Sequence, residues 1–432
     1  MRKGQDTVFR ERALLVGVAV GRETTDRGEE LAGLADTAGA EVVATSFQRV
    51  ERVSPRTFLG GGKVEEIAEI VKRDRIGVVL VDHDLSPAQI RNIENLVKAK
   101  VIDRTELILH IFATHARTAQ AKLQVELARL EYLMPRLRRM WTHLDTQVGG
   151  APGVAGGAVG IGQRGPGEKQ IEVDRRLAQD RVTELRRELE RMAERKEREV
   201  ASRVADTQAV SLVGYTNAGK STLMNRLTAA GVTASDRLFE TLDTRTRLWT
   251  LGNGMKVLLS DTVGFIRRLP HGLVSSFHAT LEEVSQADLL LHVVDAASPD
   301  AEQQIASVQE VLTGIGADEK EVLLVFNKID RFRDAIEAET FAKPHPGSAA
   351  ISAATGAGIE ALEARVGEIL QRDYIEVEVE IPAADGRLLA EIHTFSVVVD
   401  RAYEGDRVRL KVRTPRRYHY RLKDYERNGE SR

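Results

Sequence analysis

Residues 214–221 read Gly-Tyr-Thr-Asn-Ala-Gly-Lys-Ser, which fits the phosphate-loop pattern G-x-x-x-x-G-K-S. The apolar run at 209–213 predicts a buried strand before this loop, and residues 221–228 predict a helix after it. A glycine-rich turn between a strand and a helix directs backbone N–H groups at a phosphate, where the helix dipole also favours negative charge. The pattern therefore predicts a phosphate-binding α/β domain.

Three further motifs follow the phosphate loop in the order found in guanine-nucleotide sites. Residues 261–264 read Asp-Thr-Val-Gly, residues 327–330 read Asn-Lys-Ile-Asp, and residues 352–353 read Ser-Ala. A carboxylate at Asp330 accepts both the ring N–H and the exocyclic amino group of guanine, whereas adenine offers no matching donors. The Lys328 stem is expected to pack on the base. Together these motifs predict binding of GTP and GDP.

The chemistry of each motif assigns a role to particular side chains. Lys220 is expected to neutralise the β- and γ-phosphates, and Gly264 to donate its N–H to the γ-phosphate. Mg²⁺ prefers oxygen ligands, which we expect to be the Ser221 and Thr241 hydroxyls, with Asp261 acting through water. The catalytic residues are accordingly Lys220, Thr241 and Gly264, and the predicted reaction is hydrolysis of GTP to GDP and phosphate. The predicted GTP-binding residues are Gly214, Tyr215, Thr216, Asn217, Ala218, Gly219, Lys220, Ser221, Thr222, Phe239, Thr241, Asp261, Gly264, Asn327, Lys328, Asp330, Ser352 and Ala353.

Several positions around these motifs allow alternatives. Residues 239–245 form either a switch loop or an ordinary surface turn, and Thr244 competes with Thr241 as the second magnesium ligand. Asn217 is either a simple turn residue or an amide ligand to a monovalent cation such as K⁺. Phe265 stands where many small GTPases carry a Gln that orients the attacking water. Because a phenyl ring cannot do so, we expect slow intrinsic hydrolysis and stimulation by a partner.

Periodicity divides the 432 residues into segments of a multidomain α/β protein. We expect an N-terminal α/β domain at 1–112, a helical hairpin at 113–206, a phosphate-loop GTPase domain with a mainly parallel sheet at 207–373, and a small α+β C-terminal domain at 374–432. In the first domain, Gly60-Gly-Gly-Lys63 is either a second phosphate site or a turn that opens a helix.

Two apolar seams predict the hairpin, which should pair antiparallel. The first seam comprises Leu123, Leu127, Leu130, Met134, Leu137, Trp141 and Leu144, with Pro135 as a possible kink. The second comprises Ile171, Ala178, Val182, Leu185, Leu189 and Met192. The glycine-rich loop at 149–167 between the seams is predicted to be functional or disordered.

The C-terminal segment has strand patterns at 375–381, 395–399 and 408–412 and a helical stretch at 386–393. Basic residues between 407 and 423 are interleaved with Tyr418 and Tyr420. This arrangement is either a set of solvated strand faces or an RNA-contacting patch.

Composition limits the classes of function. The net charge of -3 does not indicate a globally basic nucleic-acid binder, so any such binding must come from local patches. The chain has no cysteine, which excludes disulfides and fits a reducing compartment. No stretch reaches the roughly 18 apolar residues of a membrane span. We therefore expect a cytoplasmic protein.

Over most of its length the chain resembles the HflX GTPases, bacterial translation factors of the phosphate-loop class. The resemblance rests on residues 60–67, 85–89, 101–105, 121–127, 164–168, 173–176 and 261–267. It implies a GTPase that binds the large ribosomal subunit and its RNA, splits stalled ribosomes, and directs the hairpin loop toward the peptidyl-transferase region. It also implies adenine-nucleotide binding, with ATP as ligand, by the N-terminal domain. We expect the protein to be a monomer.

Two departures from the family pattern stand out: Lys169 replaces the usual Thr, and the C-terminal segment matches more weakly. The alternative function is a GTP-gated RNA chaperone or remodelling protein acting on structured RNA outside the ribosome.

Overall fold

The structure is a computed structural model that describes residues 11–21, 28–140, 166–204, 208–228, 239, 245–267, 283–332, 344–372 and 374–426. These residues form two compact units. The first contains the described residues up to Glu194 together with Phe239, Ile266 and Arg267. The second contains the other described residues from Arg195 onward. Because the second unit holds a mainly parallel sheet flanked by helices, the predicted multidomain α/β class is confirmed.

The first unit is built around a four-stranded parallel sheet in the order β2-β1-β3-β4. Its elements are β1 (Arg12–Val20), α1 (Glu29–Thr37), β2 (Glu41–Val50), α2 (Gly61–Asp74), β3 (Val78–Val81), α3 (Pro87–Val97), β4 (Lys100–Asp103) and α4 (Arg104–His115). Side chains of β1 and β3 share one apolar cluster with α2 and α3. The near-continuous apolar runs in β1 and β3 suit strands that are covered on both faces.

Local capping fixes where the helices of this unit begin. At α3, Ser86 and Gln89 form a reciprocal capping box and Pro87 occupies the first turn. At α2, Gly60 is an extended N-cap residue, and the ammonium of Lys63 pairs with Glu66 at 2.8 Å. The glycine run therefore lies where the helix-opening alternative places it.

Two long helices follow, α5 (Ala119–Met140) and α6 (Pro166–Val204). Their apolar seams meet in one cluster, which comprises Leu123, Leu127, Leu130, Met134, Val182, Leu185 and Leu189. The ion pairs Arg181–Glu126 at 2.9 Å and Arg186–Glu131 at 2.7 Å accompany it. Pro135 lies inside α5 without ending the helix.

Other parts of the predicted hairpin lie outside the residues that the structure describes. Trp141, Leu144 and residues 149–165 of the predicted loop lie beyond the described residues. The last two residues of that predicted loop, Pro166 and Gly167, instead begin α6. Proline suits the first turn of a helix because the N–H that it lacks has no intrahelical partner there.

The second unit contains a six-stranded sheet in the order β10-β9-β8-β5-β7-β6. Its elements are β5 (Gln208–Gly214), α7 (Lys220–Thr228), β6 (Arg245–Thr250), β7 (Lys256–Asp261), β8 (Leu289–Asp295), α8 (Ala301–Gly314), β9 (Val322–Asn327), β10 (Ala349–Ala350) and α9 (Ile359–Gln371). The pairings are parallel except for the antiparallel β6–β7 pair at the edge. The carboxyl ends of β5, β7, β8 and β9 consequently meet at one edge of the sheet, which is where ligands bind in such folds.

The C-terminal elements are β11 (Tyr374–Pro382), α10 (Gly386–Phe395), β12 (Val397–Glu404), β13 (Arg407–Pro415) and α11 (His419–Leu422). They form an antiparallel sheet in the order β11-β13-β12 with an apolar cluster of its own. Basic residues of β13 pair with glutamates of β11, in the pairs Arg407–Glu380, Arg409–Glu378, Lys411–Glu376 and Arg413–Glu376. This charge balance favours the solvated strand face over an RNA-contacting patch for β13.

None of the helices in the described ranges is long and apolar enough to cross a membrane.

Candidate nucleotide site

The phosphate loop follows β5 and packs against β8 and β9. Gly219 has a φ of +94°, and a Cβ there would lie 2.2 Å from Nδ2 of Asn327. Gly214 meets the backbone of β8 equally closely, since its Cβ would lie 2.2 Å from the Val293 carbonyl oxygen. Side chains are therefore excluded at both glycines of the motif, by backbone conformation and by space.

Lys220 is buried at the start of α7, with a relative exposure of 6%. Its Nζ donates to the carbonyl oxygens of Gly214 at 2.9 Å and Tyr215 at 2.8 Å. Burial lowers the pKa of Lys220 to about 8, and the nearby Asp261 carboxylate opposes this shift. The loop thus curls around a buried ammonium group.

Two of the predicted magnesium ligands are in contact. The Ser221 hydroxyl donates to Oδ2 of Asp261 at 2.6 Å, and Asp261 is 1% exposed at the end of β7. A hydroxyl and a carboxylate oxygen at this separation are a donor set that suits Mg²⁺. The third predicted ligand, Thr241, and its competitor Thr244 lie outside the described residues.

The stretch after β7 lies directly on the phosphate loop. Phe265 pairs with the loop through two backbone bonds, from its N–H to the Gly214 carbonyl at 3.1 Å and from the Thr216 N–H to its own carbonyl at 2.7 Å. The Phe265 residue is 3% exposed. A Cβ on Gly264 would stand 2.8 Å from Thr216 Cγ2 and 3.1 Å from Lys220 Nζ. Gly264 is therefore held beside the lysine that is expected to contact the phosphates.

The predicted base-binding residues come together at the ends of β9 and β10. Asn327 donates from Nδ2 to the Ala218 carbonyl at 2.8 Å and accepts from the Ala353 N–H at 2.9 Å. The Ser352 hydroxyl donates to Asp330, whose side chain lies at an exposed position. Asn327 accordingly connects the phosphate loop to the predicted base loop.

Lys328 has one partner in the phosphate loop, Asn217, and one outside the four predicted motifs, Asp295. Its Nζ lies 2.7 Å from Asp295 Oδ2 and donates to the Asn217 carbonyl at 2.7 Å. Asp295 ends β8 and pairs in register with Asn327. Asp295, like Asp261, is an aspartate at the end of an apolar run, and this pattern in the sequence could have identified it. Asn217 itself is exposed and has a φ of 60°.

Phe239, predicted to bind GTP, belongs to the first unit. Its ring meets Phe112 of α4 edge-on, with centroids 4.7 Å apart and an interplanar angle of 81°. In the same unit, Arg104 of α4 donates to the carbonyl of Arg267 at 2.9 Å and pairs with Glu30. Residues on both sides of the Asp-Thr-Val-Gly motif in sequence thus contact α4, which the sequence did not indicate.

Three family descriptions match consecutive parts of the chain. They are "GTP-binding GTPase N-terminal" over residues 25–113, "GTP-binding GTPase Middle Region" over residues 115–203 and "50S ribosome-binding GTPase" over residues 209–328. The chain is also 46% identical over 401 residues to the GTPase HflX of Magnetococcus marinus, which covers 90% of this chain and 89% of that protein. The chain belongs to the HflX GTPase family. The resemblance inferred from its motifs is confirmed.

A second relative gives the same assignment. The GTPase HflX of Escherichia coli is 46% identical over 392 residues, covering 90% of this chain and 89% of that protein. A solved complex of SsGBP with GDP is similar at 24% identity and a TM-score of 0.46, covering 83% of this chain and 98% of that one. This HflX-family protein binds guanine nucleotide and hydrolyses GTP, as its motifs predicted.

Proposed function

We propose that this HflX-family GTPase binds the large ribosomal subunit and its RNA and splits stalled ribosomes, with ribosome-stimulated GTP hydrolysis. The observation that carries the proposal is the match of residues 209–328 to a 50S ribosome-binding GTPase, within a chain that aligns with HflX proteins over about nine-tenths of its length. We further propose that it acts in the cytoplasm as a monomer.

The helix pair supports a mechanical role. α6 has 39 residues and is therefore about 58 Å long at a rise of about 1.5 Å per residue. Its seam with α5 and the ion pairs Arg181–Glu126 and Arg186–Glu131 brace the pair. A braced pair of helices can carry the glycine-rich residues that connect them into a narrow crevice. We propose the peptidyl-transferase region as that crevice.

The nucleotide site supplies the switch. Lys220 stabilises negative charge on the β- and γ-phosphates, and the Gly264 N–H contacts the γ-phosphate. Ser221, Thr241 and, through water, Asp261 would hold Mg²⁺, which when bound neutralises phosphate charge. Asp330 reads the guanine, and the Ser352 and Ala353 backbone closes over it.

Phe265 supports dependence on a partner. Its side chain is buried and its backbone is bonded to the phosphate loop, so it does not supply a hydrogen-bonding group to the attacking water. Slow basal hydrolysis follows, because positioning of the attacking water contributes strongly to phosphoryl transfer. The ribosome would then supply or order the missing group.

Ribosome splitting followed by light scattering tests the proposal, with nucleotide titrations and co-sedimentation with large subunits beside it. We compare the intact chain, Lys220→Ala, and a variant in which residues 150–162 are replaced by a short linker. The linker variant should keep its GTP affinity and lose splitting. Lys220→Ala should lose nucleotide binding itself, because it removes the positively charged ammonium that pairs with the β- and γ-phosphates.

Two outcomes would contradict parts of the proposal, the first the role of the loop and the second ribosome splitting. If the linker variant splits ribosomes as fast as the intact chain, the loop has no part in splitting. If large subunits neither bind nor stimulate hydrolysis while unrelated structured RNA does both, the protein is an RNA-remodelling GTPase. A comparison of GTP hydrolysis in K⁺ and in Na⁺ tests whether a monovalent cation binds near Asn217. An ATP titration tests whether the N-terminal domain binds ATP.

A further inference from the structure

Arg226 connects the helix after the phosphate loop to the predicted base loop. It lies at an exposed position in the last turn of α7. Its Nε donates to the Ala353 carbonyl at 3.1 Å, and its Nη2 contacts the Ala354 carbonyl. A guanidinium group suits this role because its fixed fork presents several donors at once. One surface side chain thus holds two successive carbonyls of the loop.

The same loop is held from within by a different residue. The Ala353 N–H is bonded to Asn327, which also reaches the phosphate loop at Ala218. The loop closes on itself through bonds from Gly356 N–H to the Ser352 carbonyl at 2.8 Å and from Ser352 N–H to the Ala357 carbonyl at 2.9 Å. Its backbone near Ala353 is therefore clamped between Asn327 inside and Arg226 outside.

We propose that Arg226 is a positioning residue for guanine recognition. It does not touch the nucleotide; it fixes the height of the Ser352–Ala353 backbone over the base and ties that backbone to the helix that carries Lys220. Base binding and phosphate binding are coupled through it. This inference rests on the guanine pocket assigned above.

The experiment compares Arg226→Met, Arg226→Lys and the control Arg372→Met, all in the full chain. Methionine keeps most of the side-chain length and removes every donor, while lysine keeps the charge but lacks the fork. Arg372 is an exposed arginine in the same unit, paired with Glu321 at 2.7 Å and outside the four motifs. Each protein is titrated with a fluorescent GDP analogue, which is then displaced by GDP or by inorganic tripolyphosphate, a probe of the phosphate loop alone.

Arg226→Met should raise the Kd for GDP about tenfold, equivalent to about 1.4 kcal/mol, mainly through faster dissociation. The KM for GTP should rise with the Kd, whereas the kcat for GTP and the inhibition constant for tripolyphosphate should stay within about twofold of the parent values. The thermal unfolding midpoint should stay within about two degrees of the parent's. The Kd of Arg226→Lys for GDP should fall between those of the parent and Arg226→Met. The control Arg372→Met should have the parent's Kd.

The proposal is overturned if the Kd of Arg226→Met for GDP stays within twofold, or if GDP and tripolyphosphate weaken by the same factor. An Asp330→Asn variant separates this failure from failure of the pocket assignment. If that variant keeps its preference for guanine over xanthine nucleotide, the pocket itself is assigned wrongly, whatever Arg226 does.

Discussion

The buried ammonium of Lys220 predicts that GDP binding takes up a proton at alkaline pH. In the structure, burial lowers the pKa of Lys220 to about 8. Phosphates placed beside Nζ favour the charged form and raise that pKa again. Those protein molecules in which Lys220 is neutral must therefore take up one proton from solution when GDP binds.

The magnitude follows from the titration of a single group. With a pKa of about 8, roughly a tenth of Lys220 is neutral at pH 7 and about three quarters is neutral at pH 8.5. Proton uptake should thus rise from about 0.1 to about 0.75 per GDP over this interval. By the same linkage, the Kd for GDP should increase about fourfold. The affinity for GDP begins to fall as the pH rises through the pKa of Lys220 in the free protein.

Isothermal titration calorimetry in pairs of buffers with different ionisation enthalpies measures the uptake directly. Guanosine is the control ligand, because it carries the base without phosphates and should cause no uptake at Lys220. If GDP takes up no more protons at pH 8.5 than at pH 7, Lys220 keeps its charge in the free protein. Such a result would refute the lowered pKa of Lys220.

Three further predictions concern other residues. Burial lowers the pKa of His292 to about 4, so the free energy of unfolding should fall by about 3 kcal/mol as the pH falls from about 6.5 to about 4; urea unfolding would show this decline in the parent and not in His292→Gln. Gly219→Ala should weaken GDP binding about 30-fold or more, since the left-handed conformation costs about 1–2 kcal/mol and the new Cβ displaces Asn327; unchanged titration curves would contradict this. Tyr132→Phe removes the 2.7 Å hydrogen bond to buried Asp103, so it should lower stability by about 1–3 kcal/mol in thermal unfolding and leave GDP affinity unchanged.

The sequence predicted the elements that carry a strong local period and missed those that depend on neighbours. The strand β5 was anticipated because residues 209–213 read as an apolar run, and Val210, Leu212 and Val213 are fully buried in it. β6 has no such run: Trp249 is buried, but Leu248 is 53% exposed at the sheet edge. Only its antiparallel pairing with β7 makes it a strand.

Phe395 shows how two periods compete in one short segment. Residues 395–399, Phe-Ser-Val-Val-Val, predicted a strand, but α10 extends to Phe395 and the strand begins at Val397. Phe395 follows Ile392 at helical spacing, and both are buried in the C-terminal cluster. The strand prediction was therefore wrong at this end, because burial on the helix face outweighed local β propensity.

The sequence by itself determined the chemistry of the nucleotide site, since each motif is a short contiguous string whose residue types suit phosphate, magnesium or guanine. The tertiary structure decided which groups hold those motifs in place. Asp295 reaches Lys328, and Arg226 reaches the Ala353 carbonyl, across sequence separations that no local pattern encodes. The physical reason is that a parallel sheet gathers the ends of distant strands at one edge. Contacts made there depend on the register of the strands and the placement of α7, not on the order of residues along the chain.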